Sequence, residues 1–265
     1  MGLITLLLME LVIVGAGRAG GSLALASASA GHRVVGVLAR RSQSFGPALP
    51  WDEPLPASDL VLVAVSDAAI GPVAARIAQL WSASAPAVHL SGFVSVDELG
   101  PIAATGVAVG CFHPLQTLPD AERGAAALGG AWAAVTTEDG WLGALLTDYA
   151  TSLGMRSFAL ADTDKGVYHA AAAAGANYVV EALAVAADLL AAAGVDLEVM
   201  EPLTRRVVEN VFSIGPTAAL TGPIARGDLA TVAGQMAAAD AVDPGLGRQF
   251  RLLATATAER VGLEL

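Results

Sequence analysis

The sequence contains a single cysteine, Cys111, and a single lysine, Lys165, among its 265 residues. One cysteine excludes an internal disulfide and offers no metal-binding cluster, which suits a reducing cytoplasm. Positive charge is also scarce, since 14 lysine and arginine residues stand against 25 acidic ones and the net charge is −11. Nucleic acids and anionic membrane surfaces both need a basic footprint, so we expect neither as a partner. We therefore predict a cytoplasmic protein without a metal, whose ligand is a small molecule held by local groups.

Long, strongly apolar runs are also missing from the sequence. Hydrophobic residues make up 55% of the chain and charged residues 15%, but much of the excess is alanine, and we find no uninterrupted span of 18 strongly apolar residues. Strand and helix patterns alternate as far as residue 161, and only helical patterns follow. We therefore predict two domains, residues 1–161 with a doubly wound parallel sheet and residues 162–265 with an all-α fold.

Residues 11–30 contain the most informative motif of the chain. An apolar run at residues 11–14 predicts a buried strand, which ends at Gly15, Gly17 and Gly20 before a helical segment. A second predicted strand at residues 33–39 completes a βαβ unit. In this setting the first glycine permits a tight turn, the second lets the backbone approach a pyrophosphate, and the third lets the helix pack on the strand. The motif predicts a dinucleotide site formed by Gly15, Gly17, Arg18, Ala19 and Gly20.

An acidic residue is missing at the end of the second predicted strand. NAD-binding proteins carry an acid there for the ribose hydroxyls, whereas this chain has Arg40, Arg41 and Ser42. Arginine can bind a ribose 2′-phosphate through paired, charge-assisted hydrogen bonds. The sequence therefore predicts NADP as the cofactor, and the alternative is that the two arginines are merely the solvated end of a strand.

Three further predicted strands, at residues 59–65, 87–90 and 107–111, each deliver polar groups to their carboxyl ends. Open α/β sheets bind ligands at that edge. We expect the cofactor crevice to be lined there by Val65, Ser66, Asp67, Ser91 and Gly92, and we expect Ser91, His113 and Gln116 to face the substrate. Asp67 could equally cap the helix that follows it.

The four histidines divide into two pairs. We predict structural roles for His32 and His89. His113 stands before a proline at the end of a strand, where it could either contact a ligand or hold the loop by a hydrogen bond. His169 shares one face of a predicted helix over residues 165–193 with Asn177, about 12 Å further along the axis, so that a small ligand could bridge them. The alternative is a His and an Asn that are hydrogen-bonded within a packed core.

A cluster of turn residues lies between two predicted helices at positions 220–228. Thr221 and Arg226 in this cluster could bind an anionic substrate. The stronger alternative is an inter-helix loop that Arg226 and Asp228 hold in place, with Asp228 capping the next helix.

Six segments together carry a resemblance to a known group of proteins: GAGRAG, VAVSD, HLSG, FHPLQT, YHAAAAAGANY and LTGPIARGD. The chain resembles, over nearly its whole length, the Rossmann-like NADP-binding oxidoreductases that carry a C-terminal helical domain of unknown function. These are relatives of pyrroline-5-carboxylate reductase, prephenate dehydrogenase and ketopantoate reductase. The resemblance implies a helical domain like that of 6-phosphogluconate dehydrogenase, a homodimer, and an NADP-dependent oxidoreductase activity without an assigned substrate. The element around His113 and Pro114 is similar to one in prephenate dehydrogenases.

The chain departs from the wider superfamily at one catalytic position. Several of those enzymes place a lysine four residues before an asparagine on the long helix, and the matching residue before Asn177 is Ala173. Lys165 lies twelve residues before Asn177 and does not fit this pattern. We therefore expect His169 first, and His113 second, to move the proton.

These observations leave two hypotheses about function. The first is an enzyme that transfers hydride between NADP(H) and a small carbonyl, imine or 2-hydroxy acid, such as a ketoacid or a pyrroline carboxylate, while Asn177, Ser91 and Thr221 position the substrate. The second is a sensor or regulatory protein that binds NADP without turnover.

Overall fold

The computed structural model describes residues 8–40, 44–81 and 85–265. The chain divides into two compact units, Met1–Ala172 and Ala173–Leu265. The first unit contains the sheet, and it extends past residue 161 to include the first turns of the long helix that starts at Lys165. Arg41 and Ser42, two of the predicted cofactor contacts, lie outside the described residues.

The first unit is built on a sheet in which the described residues form seven strands. The strands are β1 (Glu10–Val14), β2 (Arg33–Leu38), β3 (Leu60–Val63), β4 (Ala87–His89), β5 (Val109–Leu115), β6 (Trp132–Thr136) and β7 (Arg156–Ala159). Their spatial order is β2-β1-β3-β4-β5-β6-β7. The first five strands are parallel to one another, β6 pairs with β5 in the antiparallel sense, and β7 is parallel to β6. The predicted Rossmann fold is confirmed, with the difference that the last two strands are reversed.

Both faces of this sheet are buried. Leu11 and Ile13 of β1 belong to one hydrophobic cluster, whereas Val12 and Val14 belong to another. Successive side chains of a strand point to opposite faces, so β1 contributes to two cores at once, as strands covered on both sides do. The described helices of this unit are α1 (Arg18–Ser29), α2 (Ile70–Ala78), α3 (Gly100–Ala103), α4 (Ala121–Leu128) and α5 (Gly140–Ser152). The sequence patterns did not predict α4.

Polar contacts join α5 to α1 and to His32, which follows α1. The hydroxyl of Tyr149, a fully buried residue, lies 2.7 Å from Ser27 Oγ. A buried hydroxyl that loses its partner costs about 1–3 kcal/mol, so this contact ties the two helices together. His32 accepts a hydrogen bond from the Met9 N–H at Nδ1 (3.1 Å), and its Nε2 lies 2.6 Å from Ser152 Oγ. Both nitrogens of His32 thus have protein partners, which is the structural role predicted for it.

Strand β5 is longer than the sequence patterns indicate, and our prediction for its end was wrong. We expected a strand over residues 107–111 with His113 just past its carboxyl end, but the strand continues through His113, which pairs with Ala134, and Pro114, which pairs with Ala133 of β6. Strand β4 ends at His89, opposite Cys111. Beyond that point β5 has a neighbouring strand on one side only, and such an edge tolerates a proline that cannot donate a hydrogen bond.

The second unit is all-α in its described residues, as predicted. It comprises most of α6 (Lys165–Ala192), then α7 (Glu201–Ile214), α8 (Pro216–Ala219), α9 (Pro223–Arg226), α10 (Leu229–Val242) and α11 (Pro244–Arg260). Asp228 begins α10 as its cap and accepts hydrogen bonds from the N–H (3.1 Å) and the hydroxyl (2.7 Å) of Thr231. Asp243 caps α11 in the same way by accepting from the N–H groups of Gly245 and Leu246. The turn predicted at residues 220–228 contains the short helix α9.

One expectation about apolar runs needs correction. The helical stretch Asp162–Ala192 is long and apolar enough to cross a membrane by length and composition, although little of it is buried within the chain. Small alanine side chains dominate this stretch, and alanine raises the mean hydropathy without the bulk of leucine or isoleucine.

Candidate active site

The glycine motif forms a turn that only glycine fits at two of its three positions. Gly15 has φ of +105°, and a Cβ atom there would collide with the carbonyl group of Ala64 at the end of β3. A Cβ atom on Gly20 would collide with the carbonyl oxygen of Gly15 and touch the side chain of Ala64. The turn after β1, the start of α1 and the end of β3 are therefore in direct backbone contact.

Gly17 differs from the other two glycines because no protein atom requires it to be glycine. It is the N-cap of α1, its φ of −76° suits any residue, and an added Cβ atom would meet nothing within 4 Å. No side chain caps the first turn of α1, and that turn contains no acidic residue. The open backbone N–H groups at this helix start are suited to an anion such as a pyrophosphate, so the geometry fits the predicted cofactor.

The other described residues predicted to line the crevice lie at the carboxyl ends of their strands. Arg40 is exposed just after β2. Val65, half-buried after β3, would contact a Cβ atom on Gly15 at 3.0 Å, which places it beside the glycine turn. Ser66 and Asp67 are exposed, and Ser66 makes no capping hydrogen bond to the 3-10 turn that follows. Both side chains are thus free to face the crevice.

Gly92 lies between the two histidines that the sequence singles out. A Cβ atom there would come within 2.8 Å of His113 Cε1 and Nε2, and within 2.9 Å of His169 Cδ2. The ring centroids of His113 and His169 are 6.1 Å apart, and the Phe93 ring packs 5.9 Å from that of His169. Strand β5 therefore meets the first turns of α6 at the loop after β4, and both histidines are half-buried in the first unit.

His113 has a close partner that sequence reasoning missed. Its Nδ1 lies 2.8 Å from the hydroxyl of Tyr168, the residue before His169 on α6. Burial, reinforced by the nearby His169 and Lys165, lowers the pKa of His113 to about 4. Burial also raises the pKa of Tyr168 to about 12. At neutral pH the pair is therefore an uncharged imidazole joined to an intact hydroxyl.

The loop after β4 is held in place by local hydrogen bonds and by one distant carboxylate. Ser91 Oγ accepts from the N–H groups of Phe93 (3.1 Å) and Val94 (3.0 Å). The Ser91 carbonyl accepts from the thiol of Cys111 at 3.1 Å. Asp162 accepts from the Ser95 hydroxyl (2.6 Å) and the Val96 N–H (3.0 Å). Asp162 thus links this loop to the start of α6, which carries Tyr168 and His169.

The remaining predicted substrate contacts are divided between the two units. Gln116 is exposed and donates from Nε2 to the carbonyl of Ala127 at 3.1 Å, which fixes the turn before α4. Asn177 is an exposed residue of α6 in the second unit. Thr221 and Arg226 are also exposed in the second unit, Arg226 as the last residue of α9. Their substrate roles stay predictions from the sequence.

The order of the strands, the glycine turn and the polar residues at the carboxyl ends of the strands define a Rossmann-fold unit. Its phosphate-binding loop is typical of dinucleotide-binding proteins. Residues 131–257 match the model of a family described as a domain of unknown function (DUF2520). No curated protein sequence matches the chain.

Solved structures share the fold over almost the whole chain. A candidate NADP oxidoreductase from Bacteroides fragilis is 24% identical with a TM-score of 0.81, covering 95% of this chain and 98% of its own. A reductive aminase from Aspergillus terreus in complex with NADPH and ethyl levulinate is 17% identical with a TM-score of 0.67, covering 97% of both chains. Pyrroline carboxylate reductase from Plasmodium falciparum with NADP bound is 14% identical with a TM-score of 0.64, covering 96% and 98%. At these identities the likeness is one of fold.

The arrangement predicts separate effects for the two histidines. His169→Ala should lower turnover by roughly 10²- to 10⁴-fold, the usual contribution of a general acid, while NADPH affinity stays nearly unchanged because the glycine turn is intact. His113→Ala should act mainly on binding. Val167→Ala, an exposed change on the same helix, is the matched control. Steady-state kinetics measure turnover, and fluorescence titration measures NADPH affinity. If the turnover of His169→Ala stays within a few-fold of that of the parent protein, another group moves the proton.

Proposed function

We propose that this protein is an NADP-dependent oxidoreductase that transfers hydride to or from a small carbonyl, imine or 2-hydroxy acid. The observation that carries the proposal is the shared carboxyl edge of one sheet. At that edge the glycine turn after β1 contacts the end of β3. Gly92, in the loop after β4, lies against His113 of β5 and His169 of α6. A nucleotide bound at the first pair of strands has its redox end directed along the edge toward the second pair. The cofactors named for the similar structures, NADP and NADPH, support the choice of nucleotide.

Different residues of the first unit would bind different parts of such a nucleotide. The N–H groups of Arg18, Ala19 and Gly20 at the start of α1 would bind the pyrophosphate. Arg40 would bind the ribose 2′-phosphate, and the matching contacts of Arg41 and Ser42 stay predictions. Because Gly92 has no side chain, both histidine rings can pack directly against the loop after β4, where the nicotinamide end of the nucleotide would lie. The nicotinamide supplies the hydride when it is bound.

The histidines and Tyr168 would bind the reacting atom of the substrate and transfer the proton. In the tautomer in which the Tyr168 hydroxyl donates a hydrogen bond to His113 Nδ1, the neutral imidazole carries its proton on Nε2, one of the two ring atoms that lie against Gly92. That N–H can donate a hydrogen bond to the carbonyl oxygen or imine nitrogen of the substrate and so hold the reacting atom in place. His169, on the other side of Gly92, would then deliver or accept the proton.

We also propose a homodimer formed through the second unit. Several large apolar side chains are exposed on its helices, among them Phe212 (86%), Leu252 (72%) and Tyr178 (65%). Exposed apolar surface on this scale marks an interface in a soluble protein, and closed symmetric dimers are the commonest way to cover it. The cytoplasmic location and the absence of nucleic-acid and membrane partners likewise remain proposals from the sequence.

The proposed activity predicts NADPH oxidation with a clear cofactor preference. The protein should consume NADPH faster than NADH with at least one member of a panel of 2-oxo acids, ketones and cyclic imines, followed by absorbance. Arg40→Asp should remove the preference because a carboxylate repels the 2′-phosphate. Arg156→Asp, a charge reversal on the reversed strand β7, is the matched control and should leave the preference unchanged.

Two results would contradict this account in different ways. Equal affinity for NADPH and NADH in the parent protein would refute the cofactor assignment. Tight NADPH binding with no turnover across the whole panel would favour the second hypothesis, a protein that reports NADP redox state to a partner.

The proposed dimer predicts a mass of two chains in sedimentation at micromolar concentration. Phe212→Glu should weaken the association, since it places a charge on the large apolar residue that is most exposed among the described ones. Ser213→Glu adds the same charge at the neighbouring exposed position of α7 and is the control. A concentration-independent monomer in the parent protein would rule out the dimer.

A further inference from the structure

The reversed strands β6 and β7 bring side chains onto the same face of the sheet as His113. Residues two apart on a strand, and residues paired on neighbouring strands, point to the same face. His113 pairs with Ala134 of β6, which pairs with Phe158 of β7. The next row on the same face, at the carboxyl end of β5, consists of Leu115, Trp132 and Arg156. We call Leu115, Trp132, Arg156 and Phe158 the Trp132 patch.

Ring contacts connect the Trp132 patch to the candidate active site. The Tyr168 hydroxyl lies 2.8 Å from His113 Nδ1, and the Tyr168 ring centroid is 5.9 Å from that of Phe158. The Phe158 ring centroid is in turn 6.2 Å from that of Trp132. These centroid distances are those of aromatic rings in edge-to-face contact. The Trp132 patch is therefore continuous with His113, and all of these residues belong to the first unit.

The Trp132 patch carries one exposed cation that lacks an acidic partner. The guanidinium carbon of Arg156 lies 5.4 Å from the centroid of the Trp132 ring. In the described part of the chain no carboxylate pairs with Arg156 and its guanidinium makes no hydrogen bond, whereas the exposed Arg33 is paired with Glu10. Stacking on an aromatic ring holds the plane of a guanidinium in place, while the N–H groups at its edge stay available to a carboxylate. In a chain of net charge −11, such a cation is suited to an anionic ligand.

We propose that Arg156 binds a carboxylate of the substrate, and that the substrates are carbonyl or imine compounds whose carboxylate lies several bonds from the reacting atom. The inference rests on the proposed function, in which His113 binds the reacting atom. Arg156 would form paired, charge-assisted hydrogen bonds with the carboxylate. Leu115 and Trp132, which are 38% and 43% exposed, would contact the carbon chain between the two ends of the substrate.

The spacing of the strands sets the length of such a substrate. Arg156 and His113 are two strands and two residues apart on one face, so their Cα atoms are separated by on the order of 12 Å. A hydrogen bond of about 3 Å at each end leaves roughly 6 Å between the carbonyl carbon and the carboxylate carbon. A carboxylate bonded directly to the carbonyl carbon is too close to span this distance. The geometry therefore favours a distal carboxylate over that of a simple 2-oxo acid.

Two other roles of the Trp132 patch predict different outcomes. If the stack of Arg156 on Trp132 only stabilises the starts of β6 and β7, its loss affects charged and uncharged substrates equally. If a second copy of the chain covers the patch, its loss weakens the dimer and leaves the choice of substrate unchanged. A substrate site predicts a change that is confined to substrates with the carboxylate.

The test compares 6-oxoheptanoate, whose carbonyl and carboxylate carbons are roughly 6 Å apart in the extended chain, with its uncharged methyl ester. Arg156→Gln removes the charge, Arg156→Lys keeps it, and Arg33→Gln at the start of β2 is the matched control. In the parent protein and in Arg33→Gln, kcat/KM with NADPH should be about 10-fold or more higher for the acid, the gain expected from one charge-assisted contact. Arg156→Gln should raise KM for the acid by about that factor, while kcat for the acid and KM for the ester stay within a few-fold. Arg156→Lys should recover part of the difference.

A binding measurement that needs no turnover accompanies the kinetics. With NADP+ present, 6-oxoheptanoate should shift the NMR signal of the Trp132 indole N–H in the parent protein, assigned with Trp132→Phe, and the ester should not. Arg156→Gln should abolish the shift. The preference for NADPH over NADH, measured as affinity, should stay unchanged in every Arg156 variant because Arg40 is intact.

Three results would overturn the proposal: an unshifted indole signal in the parent protein, equal losses for acid and ester in Arg156→Gln, or altered sedimentation of that variant without a change in KM. Binding of the acid at Trp132 without any turnover has a different meaning. It would contradict the proposed function and leave the carboxylate site at Arg156 intact.

Discussion

Direct backbone contact at Gly15 and Gly20 is the constraint on which the candidate cofactor site depends. Because neither residue leaves room for a Cβ atom, the start of α1 lies against the turn after β1 and the carbonyl of Ala64. That contact directs the first N–H groups of α1 into open space at Gly17. It also places Val65 beside the turn, so the end of β3 joins the same crevice. A larger side chain at either glycine would move the helix start and, with it, the anion site.

Electrostatics organise the other end of the sheet edge. The chain as a whole is acidic, yet the region around His113 holds a buried lysine and three histidines with few acids nearby. Burial lowers the pKa of His89 and His113, so these two imidazoles are neutral near pH 7 and form hydrogen bonds without a cost for desolvating charge. Asp162 contributes differently, since its carboxylate joins the loop that carries Gly92 to the helix that carries Tyr168 and His169. The position of the histidines relative to Gly92 therefore depends on a contact between two segments far apart in sequence.

Local patterns predicted the βαβ unit, the phosphate-binding turn and the helical second unit, because each depends on residues close together in the chain. Local patterns did not predict the features that depend on a residue or strand distant in sequence. Strand β5 continues through Pro114 because β6 pairs with it from one side, and the reversal of β6 has no signature in its own residues. Tyr168 was missed because its partner His113 is 55 residues away. Lys165 was set aside for its spacing from Asn177, and its burial became evident only in three dimensions. A lone lysine in a chain of this size was the signal that could have prompted a closer look.

The central claim is that the redox end of a nucleotide bound at the glycine turn reaches the Gly92, His113 and His169 cluster. The most direct measurement is an NMR titration of the histidine ring signals with NADP+ and, separately, with adenosine 2′,5′-bisphosphate, which lacks the nicotinamide half. NADP+ should shift the His113 and His169 signals, the fragment should bind without shifting them, and His32 should respond to neither. Both signals unshifted in saturating NADP+ would show that the redox end does not reach this cluster.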